Sequence, residues 1–197
     1  MDTQKEIWKP GTLLYPLPVA MVSCGSEKDG YNVLTISWTA TICSEPAMLS
    51  ISVRPIRHSY EILKKRKEFV INLATEKLAF AADFCGVKSG RDLDKFKHLG
   101  LTAAKASKVD APLIQESPLN IECRVVDIKK LGSHDMFISE VVAIHADKKF
   151  IDEAGAFRMD KAGIIAYCHG RYYSLGRQVG KFGFSVMKKK TKYSRNT

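Results

Sequence analysis

Apolar and polar residues alternate along much of this chain with the two-residue period of strands that bury one face. Leu49, Ile51 and Val53 interleave with Ser50 and Ser52, and Leu119, Ile121, Cys123 and Val125 repeat the pattern before Val126 and Ile128 shift its phase. That shift predicts a β-bulge. The pattern predicts strands over residues 19–24, 31–42, 47–53, 68–74, 136–145 and 163–169, with a turn through 25–30. Pro55 stops the third of these because it has no N–H to give a ladder, and a helical pattern follows over 59–67 with Ile62 and Leu63 as its buried positions. Thr75 is placed to cap a second helix ending near Gly86, with Glu76 in its first turn, and residues 87–99 read as a polar, glycine-containing loop.

Strands outnumber helices, and antiparallel runs joined by tight turns are interrupted by two helices, which predicts a β-barrel with peripheral helices. No internal repeat, low-complexity tract or Pro/Ser-rich linker divides the sequence. One domain over residues 1–180 and a basic tail over 181–197 are expected. At 197 residues the chain falls within the roughly 100–200 residues of one ordinary domain.

The net charge of +10 first suggests nucleic acid, until it is located. Lys181, Lys188, Lys189, Lys190, Lys192 and Arg195 crowd into the tail with no acid among them, leaving about +4 on the rest. No aromatic stacking platform or groove-reading motif accompanies the tail, so nucleic acid is not an expected partner. No apolar run reaches the roughly 18 residues of a membrane-spanning helix. The first residues carry mixed charge and no signal-like apolar segment, so a cytoplasmic protein is expected. Cys24, Cys43, Cys85, Cys123 and Cys168 include no C-x-x-C pair and no Cys/His grouping at zinc spacing. Neither a disulfide framework nor a metal site is indicated, and buried thiols are expected.

Candidate chemistry concentrates between residues 30 and 60. Asn32, Thr35 and Ser37 place hydrogen-bonding groups on one strand, Ser50 and Ser52 on the next, and Arg57-His58-Ser59 lead into a helix. The free N–H groups and positive dipole end of a helix start favour an anion, and Arg57 adds a planar fork suited to phosphate. A pocket for a phosphorylated planar cofactor is the reading.

Six short segments then carry a resemblance: Pro18-Val-Ala-Met-Val-Ser23, Asn32-Val-Leu-Thr-Ile-Ser-Trp38, Ser52-Val-Arg-Pro55, Glu68-Phe-Val-Ile-Asn72, Ser89-Gly-Arg-Asp-Leu-Asp-Lys-Phe96, and Gly132-Ser-His134 followed by Phe137. Over about residues 16–176 the sequence resembles the flavin reductase-like family, most closely its flavoredoxin branch. The resemblance implies a mainly β FMN-binding split β-barrel of Greek-key type with peripheral helices, and a homodimer with flavin near the subunit interface. It implies that Asn32, Thr35, Ser37 and Trp38 lie on the flavin side, that Ser52, Val53 and Arg54 present backbone groups to the cofactor, and that Arg57, His58 and Ser59 reach its phosphate. Lys95 is implied to lie close to the cofactor, His134 to help position it or a nicotinamide, and Tyr167 to occupy an aromatic site position; Lys95 and His134 are the catalytic candidates. The common flavin reductase pattern has Asp where Ser133 stands here.

The function implied is an FMN-dependent oxidoreductase with NADH or NADPH as transient donor. No Gly-x-Gly-x-x-Gly follows a strand, so a nicotinamide donor has to dock directly over the flavin. Two alternatives stay open. One is an electron carrier without a nicotinamide site that serves a redox partner protein; the other is a non-catalytic flavin-binding module.

Overall fold

The computed structural model describes residues 4–187; the basic stretch 188–197 of the expected tail lies outside the described residues. The strands are β1 (Leu17–Pro18), β2 (Ala20–Ser26), β3 (Gly30–Ile36), β4 (Thr39–Ser44), β5 (Ala47–Val53), β6 (Glu68–Leu73), β7 (Ala103–Ala104), β8 (Leu113–Ile114), β9 (Leu119–Lys130), β10 (Asp135–Ala146), β11 (Ile165–Cys168) and β12 (Arg171–Ser174). The α-helices are α1 (His58–Arg66), α2 (Ala79–Val87) and α3 (Lys95–Leu99). Seven strands form one antiparallel sheet in the order β3-β2-β6-β9-β10-β5-β4, and β1, β11 and β12 form a small second sheet.

The order of the large sheet explains its shape. Strands β3 and β4 are consecutive in sequence yet stand at its opposite edges, so the two residues between them, Ser37 and Trp38, must bring those edges together. The sheet curls into an open barrel with a seam at Ser37–Trp38, where Thr39 N–H donates to Ser37 C=O at 3.0 Å and Ser52 N–H to Trp38 C=O at 2.9 Å. The single strand expected over 31–42 is therefore two strands. In sequence the polar–apolar alternation runs on through the corner as Thr39, Ala40, Thr41 and Ile42, although β4 is an edge strand with no buried residue; what changes is the partner, from β2 to β5, and periodicity carries no record of partners.

Strand β2 is buried along its whole length because it is covered on both faces. Ala20, Val22 and Cys24 join Ile51, Leu63, Phe69, Cys123 and Phe137 inside the barrel. Val19 and Met21 face outward, under α2, α3 and β11, against Ala82, Phe96 and Ile165. Burial of each large apolar side chain contributes about 1.5–3 kcal/mol. Gly25 (φ 95°) makes the β2–β3 turn possible, since a Cβ there would strike the carbonyl oxygen of Gly30. The predicted bulge is present: Asp127 pairs with Ile138 and Val125 with Ser139, leaving Val126 unpaired.

Helix α1 begins beyond Pro55 with Leu63 fully buried, and Lys67 (φ 55°) closes it by donating to Leu63 C=O at 2.8 Å. The second expected helix opens as a 3-10 turn, Glu76–Leu78, before α2; the Thr75 side chain caps nothing there, while its backbone bridges to Ile164. Helix α3 lies inside the stretch expected to be loop. Its five residues are too few to display a helical period, yet the Asp94 side chain accepts from Lys97 N–H at 3.1 Å and Gly100 (φ 64°) ends it. No helix among the described residues is long and apolar enough to cross a membrane.

Candidate functional site

Beside the seam lies a cleft of about 370 Å³. Its walls come from Thr35 on β3, the seam residues Ser37 and Trp38, the end of β5 with Ser52, Val53 and Arg54, the start of β10 with His134, helix α2, and the β11–β12 hairpin with Tyr167 and Tyr172. A second pocket of about 230 Å³ adjoins it, sharing Leu34, Arg54 and Arg57. Asn32, His58, Ser59 and Lys95 line this second pocket together with the loop 88–91. Every residue that the resemblance assigns to the site lines one pocket or the other, whereas Ser50 lines neither, and residues more than a hundred positions apart meet there.

The larger cleft is walled by rings. Those of Trp38 and His134 lie 4.6 Å apart, tilted by 42°. His134 Nδ1 is 2.9 Å from the Ser133 hydroxyl. The neighbouring Asp135 is buried and accepts from Tyr60 O–H at 2.6 Å, tying the start of β10 to α1 and thereby fixing where His134 stands. That hydrogen bond, with burial behind it, pushes the Tyr60 phenol up to about 12. Burial first, then Arg54 and Arg57, hold His134 below the ordinary imidazole value, so its neutral form predominates at neutral pH. Tyr167 lies between the rings of Tyr15 and Tyr172, at 6.0 and 5.6 Å. The Thr35 hydroxyl is buried and has no hydrogen-bond partner among the described residues.

The smaller pocket is cationic. Among the described residues, Arg54, Arg57, Lys88, Arg91 and Lys95 line it with no carboxylate, and none of them forms an ion pair. At Lys95 the loop expected over 87–99 is corrected: the residue sits in the first turn of α3 and is only 4% exposed. Phe96 draws α3 onto the outer core, which carries Lys95 inward. Its ammonium donates to Val33 C=O at 2.8 Å and Cys85 C=O at 3.0 Å, leaving one N–H to offer. Burial, chiefly, lowers its pKa. Asn32 donates to Ser59 Oγ at 2.6 Å. Gly90 presses so closely on Asn32 that a Cβ there would collide with the amide oxygen and crowd the His58 ring. Burial, then Arg91 and Lys95, lower the pKa of His58. Cys24 and Cys85 border this region, but burial pushes their thiols up to about 12 and about 11, so neither is a nucleophile at neutral pH.

Sequence reasoning did not single out Asp83, Gly86 and Val87 on α2, or Gly170 in the hairpin turn. Their presence depends on α2 packing across β3, for which the sequence holds no local signal. Tyr172 lines the cleft whereas the adjacent Tyr173 is 49% exposed.

The arrangement fits a phosphorylated planar cofactor: a ring-walled cleft joins a cationic pocket, and the unpartnered Thr35 hydroxyl and the free Lys95 N–H stand ready for a ligand's polar atoms. An open antiparallel barrel with this site at its seam is a split barrel of the flavin reductase type. The chain belongs to the flavin reductase-like family, and residues 12–176 match the domain described as flavin reductase like. An uncharacterized protein of Pyrococcus abyssi is 34% identical over 131 residues, covering 66% of this chain and 74% of that one. The flavoredoxin of Desulfovibrio vulgaris (Miyazaki F) superposes with a TM-score of 0.87 at 26% identity, over 93% of this chain and 100% of that one. An FMN-binding protein from Thermus thermophilus, solved with bound 1-cyclohex-2-enone, shares the fold at a TM-score of 0.77 and 20% identity, over 92% and 99% of the two chains.

Proposed function

We propose that this chain is an FMN-dependent oxidoreductase of the flavin reductase type, taking hydride from NADH or NADPH and passing electrons to a second acceptor. The observation that carries this reading is the continuity of the two pockets through Leu34, Arg54 and Arg57. The ring end lies between Trp38, His134 and Tyr167, and Arg57, His58, Ser59 and Lys95 stand where a phosphate belongs. FMN rather than FAD is favoured by the small volume of the cationic end and by the Thermus neighbour's description as FMN-binding.

When bound, FMN supplies the hydride and single-electron chemistry that no side chain here offers. The chain's own residues bind, orient and tune. Trp38 and His134 restrict the plane in which a ring can lie. Lys95 holds positive charge in the cationic pocket, where it favours an anionic group of the ligand. His134, neutral near pH 7, acts as a hydrogen-bonding partner rather than as a fixed charge. A cytoplasmic homodimer is part of the proposal.

A second reading, an electron carrier without a nicotinamide site, is favoured by Ser133 in place of the aspartate of the reductase pattern. Its partner would be an acidic redox protein, drawn to the basic tail. The test is the visible spectrum of the purified protein, followed by anaerobic addition of NADH and NADPH separately. Bleaching of the flavin band by either supports the reductase. Bleaching only by dithionite or a protein donor favours the carrier, and a colourless protein that refuses FMN overturns both.

A further inference from the structure

The cleft is electrically lopsided. Arg54 and Arg57 stand at the end shared with the cationic pocket, while Asp83, on α2, is the only carboxylate in its lining among the described residues. Asp83 is held there: Tyr172 O–H, projecting from the β11–β12 hairpin, donates to its Oδ1 at 3.0 Å across 89 positions of sequence. One oxygen of the carboxylate is thus committed. The other, on an exposed side chain, is left to water or to a donor that enters the cleft.

We propose that Asp83, positioned by Tyr172, selects the second substrate of the cleft by charge: a planar group bearing N–H donors is accepted at this end, and an anionic group is turned away. The inference rests on the flavin reading for the identity of the first ligand. The physical basis is asymmetric. A carboxylate that faces an amide N–H gains a charge-assisted hydrogen bond, whereas one that faces another carboxylate at short range meets repulsion, and at the exposed Asp83 both effects are moderated by water. Tyr172 is a positioning residue. Its phenol is pushed up to about 12, by burial first and then by Asp83, so it remains a donor throughout the working pH range and keeps the carboxylate turned the same way.

The experiment compares benzamide with benzoate, which share ring and shape and differ in charge. Calorimetric titration of the protein, as purified and after saturation with FMN, gives both affinities for the native chain, Asp83→Asn and Tyr172→Phe. The expected result is that the benzamide-to-benzoate affinity ratio falls about tenfold in Asp83→Asn, because the amide loses a charged acceptor and the carboxylate loses a repulsive neighbour. Tyr172→Phe should keep the direction of the preference and reduce its size, since the charge stays but is no longer held. A ratio unchanged in Asp83→Asn, or no binding of either compound by the native chain, overturns the proposal. The flavin reading fails separately, if FMN itself does not bind, and the ratio measured without FMN still decides the role of Asp83.

Discussion

At the scale of single residues, the site is a matter of where charge is placed and what is left to partner it. Lys95 is a buried ammonium with two backbone carbonyls to satisfy. Lys95→Met leaves both carbonyls without a donor, so denaturant melts should show a loss of about 1–3 kcal/mol, accompanied by weaker FMN retention. Retention at native strength would remove Lys95 from the site. The histidines predict a linkage between proton and ligand. His58 is held below its ordinary value of 6.5, chiefly by burial and then by Arg91 and Lys95, and a bound phosphate neutralises that repulsion and raises it again. The bound state then carries more protons than the free state, so FMN binding should take up protons as pH falls below the ordinary histidine value of 6.5, with affinity gaining in the same direction. Calorimetry in buffers of different ionisation heat measures the uptake, and His58→Asn should reduce it. Uptake unaffected by that change would place the proton elsewhere.

At the scale of elements, short-range pattern and long-range partnership divide the work. Alternation over β5, β9 and β10 is legible because those strands bury one face, and the bulge at Val126 shows as a break of phase. The corner at Ser37–Trp38 is not legible, since a strand that changes partner keeps its period. Nor is α3, whose cap at Asp94 and stop at Gly100 are clearer in hindsight than its five-residue body. The loop 88–91 is the element on which the smaller pocket depends, because Gly90 sits against the Asn32 amide and the His58 ring. Gly90→Ala should displace Asn32 from Ser59, cost about 1–3 kcal/mol as overpacking does, and lower FMN affinity at least tenfold. Native affinity in this variant would show that the loop can give way without disturbing the pocket.

At the scale of the whole molecule, stability and chemistry are kept apart. Glu122, on β9, has a fully buried side chain that accepts from the backbone N–H groups of Ser107, Lys108 and Val109, from the Ser107 hydroxyl, and pairs with His145 at 2.5 Å. Burial alone would raise its pKa, but the Ser107, His145 and Lys108 hydrogen bonds together outweigh it and bring the carboxyl down to about 2 from an unperturbed 4.5. A depressed carboxylate stabilises the fold fully above its unfolded value and loses that contribution as pH falls through the folded one. Stability should therefore decline between about pH 4.5 and 2 by roughly 3 kcal/mol, since each tenfold change in proton affinity on folding is worth about 1.4 kcal/mol. Glu122→Gln should flatten that decline while destabilising the protein at pH 7, and should leave the flavin cleft intact, since none of these groups lines it. An acid limb of undiminished slope in the variant would assign the pH dependence to other carboxyls.

The β-rich class, the burial of alternate positions, the place of the bulge and the kinds of residue available for a phosphorylated ring are all written along the chain. They follow from local periodicity and side-chain chemistry, which a segment carries wherever it folds. That β3 and β4 stand at opposite edges of one sheet, that Lys95 is buried, and that Asp83 and Tyr172 close the far side of the cleft emerge only when the chain is packed. Those outcomes depend on which surfaces meet. Packing is settled by the summed fit of many distant side chains, so no single segment announces it.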